Sequence, residues 1–69
     1  MKIVKIKDEF IKLGQVMKLG GMVGSGVEAK MVIQDGKVLL NGTVETQRGK
    51  KLHHGDIVSF NGETIRIEQ

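Results

Sequence analysis

Apolar and polar residues alternate at the start of the chain. Over residues 2–7, Val4 and Ile6 share one face and lysines the other, the period-two pattern of a half-buried strand. The period then changes. Leu13, Val16, Met17 and Gly20 stand at i, i+3, i+4 and i+7, which predicts a short amphipathic helix over about 12–19. Gly20 and Gly21 end it, because glycine enters the left-handed conformation of a helix cap without steric cost. Ser25 and Glu28 have the spacing of a capping box. The serine oxygen can accept from the Glu28 N–H, and the Glu28 carboxylate can accept from the serine N–H. A second helix is therefore expected from Ser25, with Ala29, Val32 and Ile33 as its buried stripe and Gly36 as its stop.

The remainder carries strand patterns punctuated by two Asn-Gly pairs. Residues 38–40 and 43–46 flank Asn41-Gly42, and residues 57–60 and 63–67 flank Asn61-Gly62. Asn-Gly is a strong hairpin signal because both central residues of a type I′ turn need positive φ. A two-residue loop in the second hairpin pairs Val58 with Ile65, which puts Val58, Phe60, Ile65 and Ile67 on one face as candidate core. Between the hairpins, residues 47–56 are basic and turn-rich. The fold expected is α+β: an N-terminal strand, a short helical hairpin, then a small, mostly antiparallel sheet, all in one domain spanning 1–69.

Charge adds direction. Eleven Lys+Arg against eight Asp+Glu leave a net charge of +3. From Lys12 to Lys51 the cations Lys12, Lys18, Lys30, Lys37, Arg48, Lys50 and Lys51 face only Glu28, Asp35 and Glu45. A positive field weighted to the middle of the chain suits a polyanionic partner. With no cysteine, disulfides and thiolate metal sites are excluded. No apolar run reaches the roughly 20 residues of a membrane span, and residues 1–7 lack the apolar stretch of a signal peptide. A cytoplasmic protein with no membrane contact is expected.

These pieces, in this order, resemble a known family. Residues 12–21 resemble the first helix of the ribosomal-protein-S-four type RNA-binding domain, also described as the alpha-L RNA-binding motif. Residues 25–30 look like its second-helix start. Residues 36–42, Gly36-Lys37-Val38-Leu39-Leu40-Asn41-Gly42, resemble its G-x-V-x-V-N-G strand and turn. Residues 45–52 and Gly55-Asp56-Ile57-Val58 resemble the basic loop and the G-D-x-V strand start that follow. The likeness covers about 12–60 and is greatest to the small stand-alone bacterial members, the YaaA/YbcJ-like proteins, in which a strand precedes the domain.

The resemblance implies non-catalytic binding of structured RNA, often ribosomal, and association with the ribosome or its assembly intermediates. The residues assigned to the RNA surface are Lys12, Gln15, Lys18, Ser25, Gly26, Lys30, Arg48, Lys50, Lys51 and His53. The backbone at the Ser25 helix start can hold a phosphate, Lys30 adds a charge one turn on, and Arg48 can make a bidentate contact that lysine cannot. The family often has arginine where this chain has Lys12 and Gly26, aspartate at Gly14, and in many stand-alone members glycine at Val27. These departures shift the expected weight to Arg48 and the lysines.

Other readings of the same residues are weaker. The glycines of 20–26 lack the phosphate-loop spacing, because Lys30 falls too late and no βαβ unit surrounds it. His53-His54 has no carboxylate cluster beyond Asp56, so no metal is expected, nor any cofactor. Met17, Met22 and Met31 suit core or flexible packing, and Lys2, Lys5 and Lys7 suit protection of an edge strand. With Phe10 and Phe60 the only aromatics, and Phe60 assigned to the core, backbone and shape readout is expected over stacking of exposed bases. No nucleophile–base pair, carboxylate pair or metal shell can be assembled, so no enzyme is expected. The chain is expected to act as a monomer, and the alternative reading is a small module that docks an acidic protein partner.

Overall fold

A computed structural model describes residues 1–69. In chain order the elements are β1 (Lys2–Lys5), β2 (Ile11–Lys12), α1 (Leu13–Leu19), α2 (Gly26–Gln34), β3 (Leu39–Leu40), β4 (Thr43–Val44), β5 (Lys51–Leu52), β6 (Ile57–Phe60) and β7 (Glu63–Glu68). Five strands form one sheet in the order β1-β7-β6-β3-β4, and β2 and β5 form a separate two-stranded ribbon. Only β1 and β7 pair in parallel, with Val4 opposite Ile67. This is the expected α+β arrangement of a strand, a helical hairpin and a mostly antiparallel sheet.

The two Asn-Gly turns form as their chemistry requires. Asn41, Gly42, Asn61 and Gly62 all have positive φ, from 51° to 84°. The second turn sets the expected register, Val58 opposite Ile65, and both side chains are buried. Ile67 joins them in the core, while Phe60 packs at its edge, half-buried.

The core is a single cluster that receives Leu13, Val16 and Met17 from α1, Ala29 and Ile33 from α2, Val4 from β1 and Leu52 from β5. The stripe read for α1 is therefore its buried face, and Val32 of α2 lies at the edge of the core. Gly20 is the C-cap residue of α1 and belongs to the packing as well, but it is not left-handed. Its φ is −83°, and a Cβ there would run into Ile65 Cδ1. The left-handed residue is Gly21, at φ +78°.

Three local expectations are corrected. The Glu28 carboxylate accepts from the Gly24 N–H at 2.7 Å, one residue before the expected Ser25 N–H, while Ser25 Oγ accepts from the Glu28 N–H at 3.1 Å. Lys2 lies on the Val4 face of β1, not opposite it, because residues two apart in a strand point the same way. Its ammonium donates to the Gly20 carbonyl at 3.0 Å, placing a cation at the carbonyl end of α1. Met31 is 59% exposed and so is not core.

Candidate nucleic-acid interface

The basic segment between the hairpins is tied to the start of α1. Lys51 and Leu52 of β5 pair antiparallel with Lys12 and Ile11 of β2. The Leu13 N–H donates to the Lys50 carbonyl at 2.9 Å, and the Gly14 N–H donates to the Arg48 carbonyl at 3.1 Å. These bonds satisfy two of the N–H groups that a helix leaves unpaired in its first turn. Leu52 is the anchor, fully buried on the inner side of the ribbon. The alternation of a strand then sends Lys51 and His53 outward.

Gly14 controls how closely the segment lies against the helix. A Cβ at Gly14 would stand 2.7 Å from Arg48 Cγ and 3.3 Å from Arg48 Cδ. Only hydrogen at this position leaves room for the arginine stem to lie across the first turn of α1. Gly14 occupies the place where the resembled family often has aspartate, and Arg48 fills the space that side chain would take.

A groove of about 320 Å³ opens beside this contact, lined by Lys12, Gln15, Lys18, Gly26, Arg48 and Gly49 among others. Five of the ten residues assigned to RNA from the sequence meet here: Lys12, Gln15, Lys18, Gly26 and Arg48. Gln15 Oε1 accepts from the Lys12 N–H at 3.2 Å, which leaves its amide nitrogen free to donate. Gly26 presents open space, and no backbone carbonyl pairs with its N–H or with that of Val27. Lys30 follows Gly26 by one turn of α2 and is exposed.

Lys51 and His53 do not line the groove and meet Phe10 instead. The Lys51 ammonium sits 4.7 Å from the centre of the Phe10 ring, and the His53 and Phe10 rings are tilted at 6.5 Å. Lys50 and Ser25 are exposed, and Ser25 is engaged as the α2 cap. All ten assigned residues are exposed.

The electrostatics favour an anion. The one ion pair in the molecule joins Arg66 and Glu68 on β7, at 3.8 Å, so no cation of the groove has a carboxylate partner. Lys12 and Lys51 are direct cross-strand neighbours in the ribbon. Like charges so placed repel, and a bound phosphate chain relieves the repulsion.

Asn41, Asp56 and His54 make contacts beyond those read from the sequence. Asn41 is more than a turn residue. Its amide nitrogen donates to Asp56 Oδ1 at 3.0 Å, and its amide oxygen accepts from the Ile57 N–H at 2.9 Å. Asp56 Oδ2 also accepts from the His53 N–H at 2.7 Å. The N-G turn and the G-D strand start, recognised as separate signatures, thus fix each other and hold the end of the basic segment. His54 parts from His53, its Nδ1 accepting from the Gln69 N–H at 2.9 Å.

Comparison with known proteins bears on the fold. The family model described as "S4 domain" matches residues 4–68. The chain is 39% identical over 59 residues to "Probable ribosome maturation protein RlbA" of Bacillus subtilis (strain 168), covering 86% of this chain and 83% of that protein. It is 36% identical over 61 residues to "Putative RNA-binding protein YbcJ" of Escherichia coli (strain K12), covering 88% and 87%. The solution structure of YbcJ from E. coli, described as revealing an αL motif involved in RNA binding, superposes with a TM-score of 0.77 at 33% identity. It covers 100% of this chain and 89% of that one. The 30S ribosomal protein S4e from Thermoplasma acidophilum shares the fold, with a TM-score of 0.65 at 22% identity over 87% of this chain and 32% of that one.

Proposed function

The chain belongs to the S4 domain family, and from that premise we propose that it binds structured RNA, ribosomal RNA in particular, without catalysis. The observation that carries this reading is the convergence of Lys12, Gln15, Lys18, Gly26 and Arg48 on one groove whose cations have no carboxylate partners. The relatives named for RNA binding and ribosome maturation support the same partner class.

The mechanism is neutralisation of backbone phosphates. Arg48, held across α1, supplies a planar bidentate donor, and Lys12, Lys18, Lys30, Lys50 and Lys51 supply point charges. The charged side chains that line the groove, Lys12, Lys18 and Arg48, are suited to phosphates, so the shape of a folded RNA backbone governs selection. Six such contacts correspond to a salt exponent of about −4 to −5.

The test is a titration with ribosomal RNA fragments at several salt concentrations, repeated with Arg48→Glu and Lys51→Glu. A steep salt dependence is expected, with each reversal reducing the magnitude of the exponent by roughly 0.7–0.9 and lowering the affinity substantially. Unchanged affinity in both variants would remove the basic segment from the interface. Absence of RNA binding by the wild type at low salt would point instead to an acidic protein partner.

A further inference from the structure

Phe10 stands outside the core. Its neighbours in sequence, Ile6 and Ile11, pack against the buried cluster, and Phe10 does not. It is nevertheless half-buried, with the Lys51 ammonium over its ring and the His53 ring beside it. An aromatic placed away from the core, between Lys51 and His53 of the basic segment, keeps part of its ring open to a ligand.

Phe10 lines a second groove of about 740 Å³, within the roughly 300–1,000 Å³ of small-ligand clefts. Its floor is apolar, from Ile6, Phe10, Ile11 and Leu19, and Leu19 is 65% exposed. Lys5, Lys7 and Lys18 border it, with Asp8 the one acid. Gln15 and Lys18 line this groove and the basic groove alike, so the two adjoin along the outer face of α1. An apolar floor with an aromatic, rimmed by uncompensated cations and continuous with a phosphate-binding groove, has the chemistry of a nucleotide: a flat base below and a phosphate above.

We propose that this second groove takes one unpaired nucleotide of the bound RNA, its base against Phe10 and its phosphate among Lys5, Lys7 and Lys18. The proposal rests on the RNA-binding reading and extends it. The protein then selects a junction at which a paired segment meets a displaced base. A single aromatic platform limits the stacking to one base, so the basic groove still supplies most of the affinity.

The experiment compares a short blunt-ended RNA duplex with the same duplex carrying one unpaired 3′ nucleotide, at low salt, by fluorescence titration. The wild type is expected to bind the overhanging RNA about tenfold more tightly. Phe10→Leu, which keeps the apolar bulk, is expected to lose that advantage and keep its affinity for the blunt duplex. In parallel, NMR of the wild-type methyl groups is expected to show Ile6, Ile11 and Leu19 moving with the overhanging RNA and not with the blunt one. This arm decides the matter if Phe10→Leu fails to fold. Equal binding of the two RNAs by the wild type, an advantage retained in Phe10→Leu, or methyl shifts that do not distinguish the RNAs would overturn the proposal and leave the RNA-binding reading intact. No binding of either RNA would overturn both, and the same methyls shifting with an acidic amphipathic peptide would assign the groove to a protein.

Discussion

The five-stranded sheet is held by its buried face, whereas the β2–β5 ribbon is held by its attachment to a helix. In the sheet, Val4, Val58, Ile65 and Ile67 bury one side, and the molecule's one ion pair lies on β7. The ribbon has two residue pairs, one of which opposes Lys12 to Lys51. Alone, so short a ribbon with facing cations would not persist. It persists because Leu52 is sealed in the core and because the Arg48 and Lys50 carbonyls take N–H groups from the start of α1. The sheet is arranged for stability, and the ribbon accepts repulsion in exchange for a concentrated positive surface.

The strongest way to break this contrast is Leu52→Ala. It leaves a cavity under the ribbon and should cost about 2–5 kcal/mol, much of the margin of so small a domain. Urea unfolding is expected to show a clear fall in midpoint, with RNA binding lost in parallel.

Lys12→Glu separates stability from function. It replaces a like-charge pair with an opposite pair facing Lys51 and puts an acid at the start of α1. Thermal unfolding should show a gain of about 0.2–1 kcal/mol. RNA affinity at low salt should fall roughly tenfold, since one phosphate contact becomes a repulsion. A fall in both would place Lys12 among the structural residues.

Gly14→Ala tests the seat of Arg48 more gently. The added methyl meets the arginine stem and turns its guanidinium away from the groove. Affinity should fall about threefold, with loss of part of one charge-assisted contact. Stability should change little, because the helix preference of alanine, up to about 1 kcal/mol, offsets the displacement. Titration and unfolding of the same sample check both.

Arg66→Ala on the sheet is the counterpart. It removes the Arg66–Glu68 pair, which is substantially exposed, and should alter stability by less than about 0.5 kcal/mol. RNA affinity should be unchanged within error. A measurable loss of affinity would extend the interface to the sheet and dissolve the contrast.

Much of the fold was legible along the chain because its signals are local. The Asn-Gly turns, the Ser25 cap and the α1 stripe each depend on residues within a few positions of one another, and each formed. The offset in the Glu28 bond shows the limit even there: the carboxylate reaches the Gly24 N–H, one residue beyond the expected partner. Of the candidate site, the residue types and the positive middle of the chain were readable, and all ten assigned residues are exposed.

What composition and spacing could not reveal is which of those residues meet. Arg48 lies across Gly14 because a chain segment more than thirty positions away returns to cap the start of α1, and no periodicity within either segment encodes that return. The same holds for Lys2 at the end of α1 and for the bond between Asn41 and Asp56, whose partners are far apart in sequence. By itself the sequence determined both helices, the strands of the main sheet, their turns and the sign of the surface, since these follow from neighbouring side chains and backbone sterics. Only the tertiary structure decided that part of the basic segment pairs into a ribbon, that Arg48 meets Lys12 and Lys18 at one groove, and that Phe10 stands apart from the core. Those outcomes arise from burying Leu52 and from satisfying the N–H groups of a helix start, which are demands met across the whole chain.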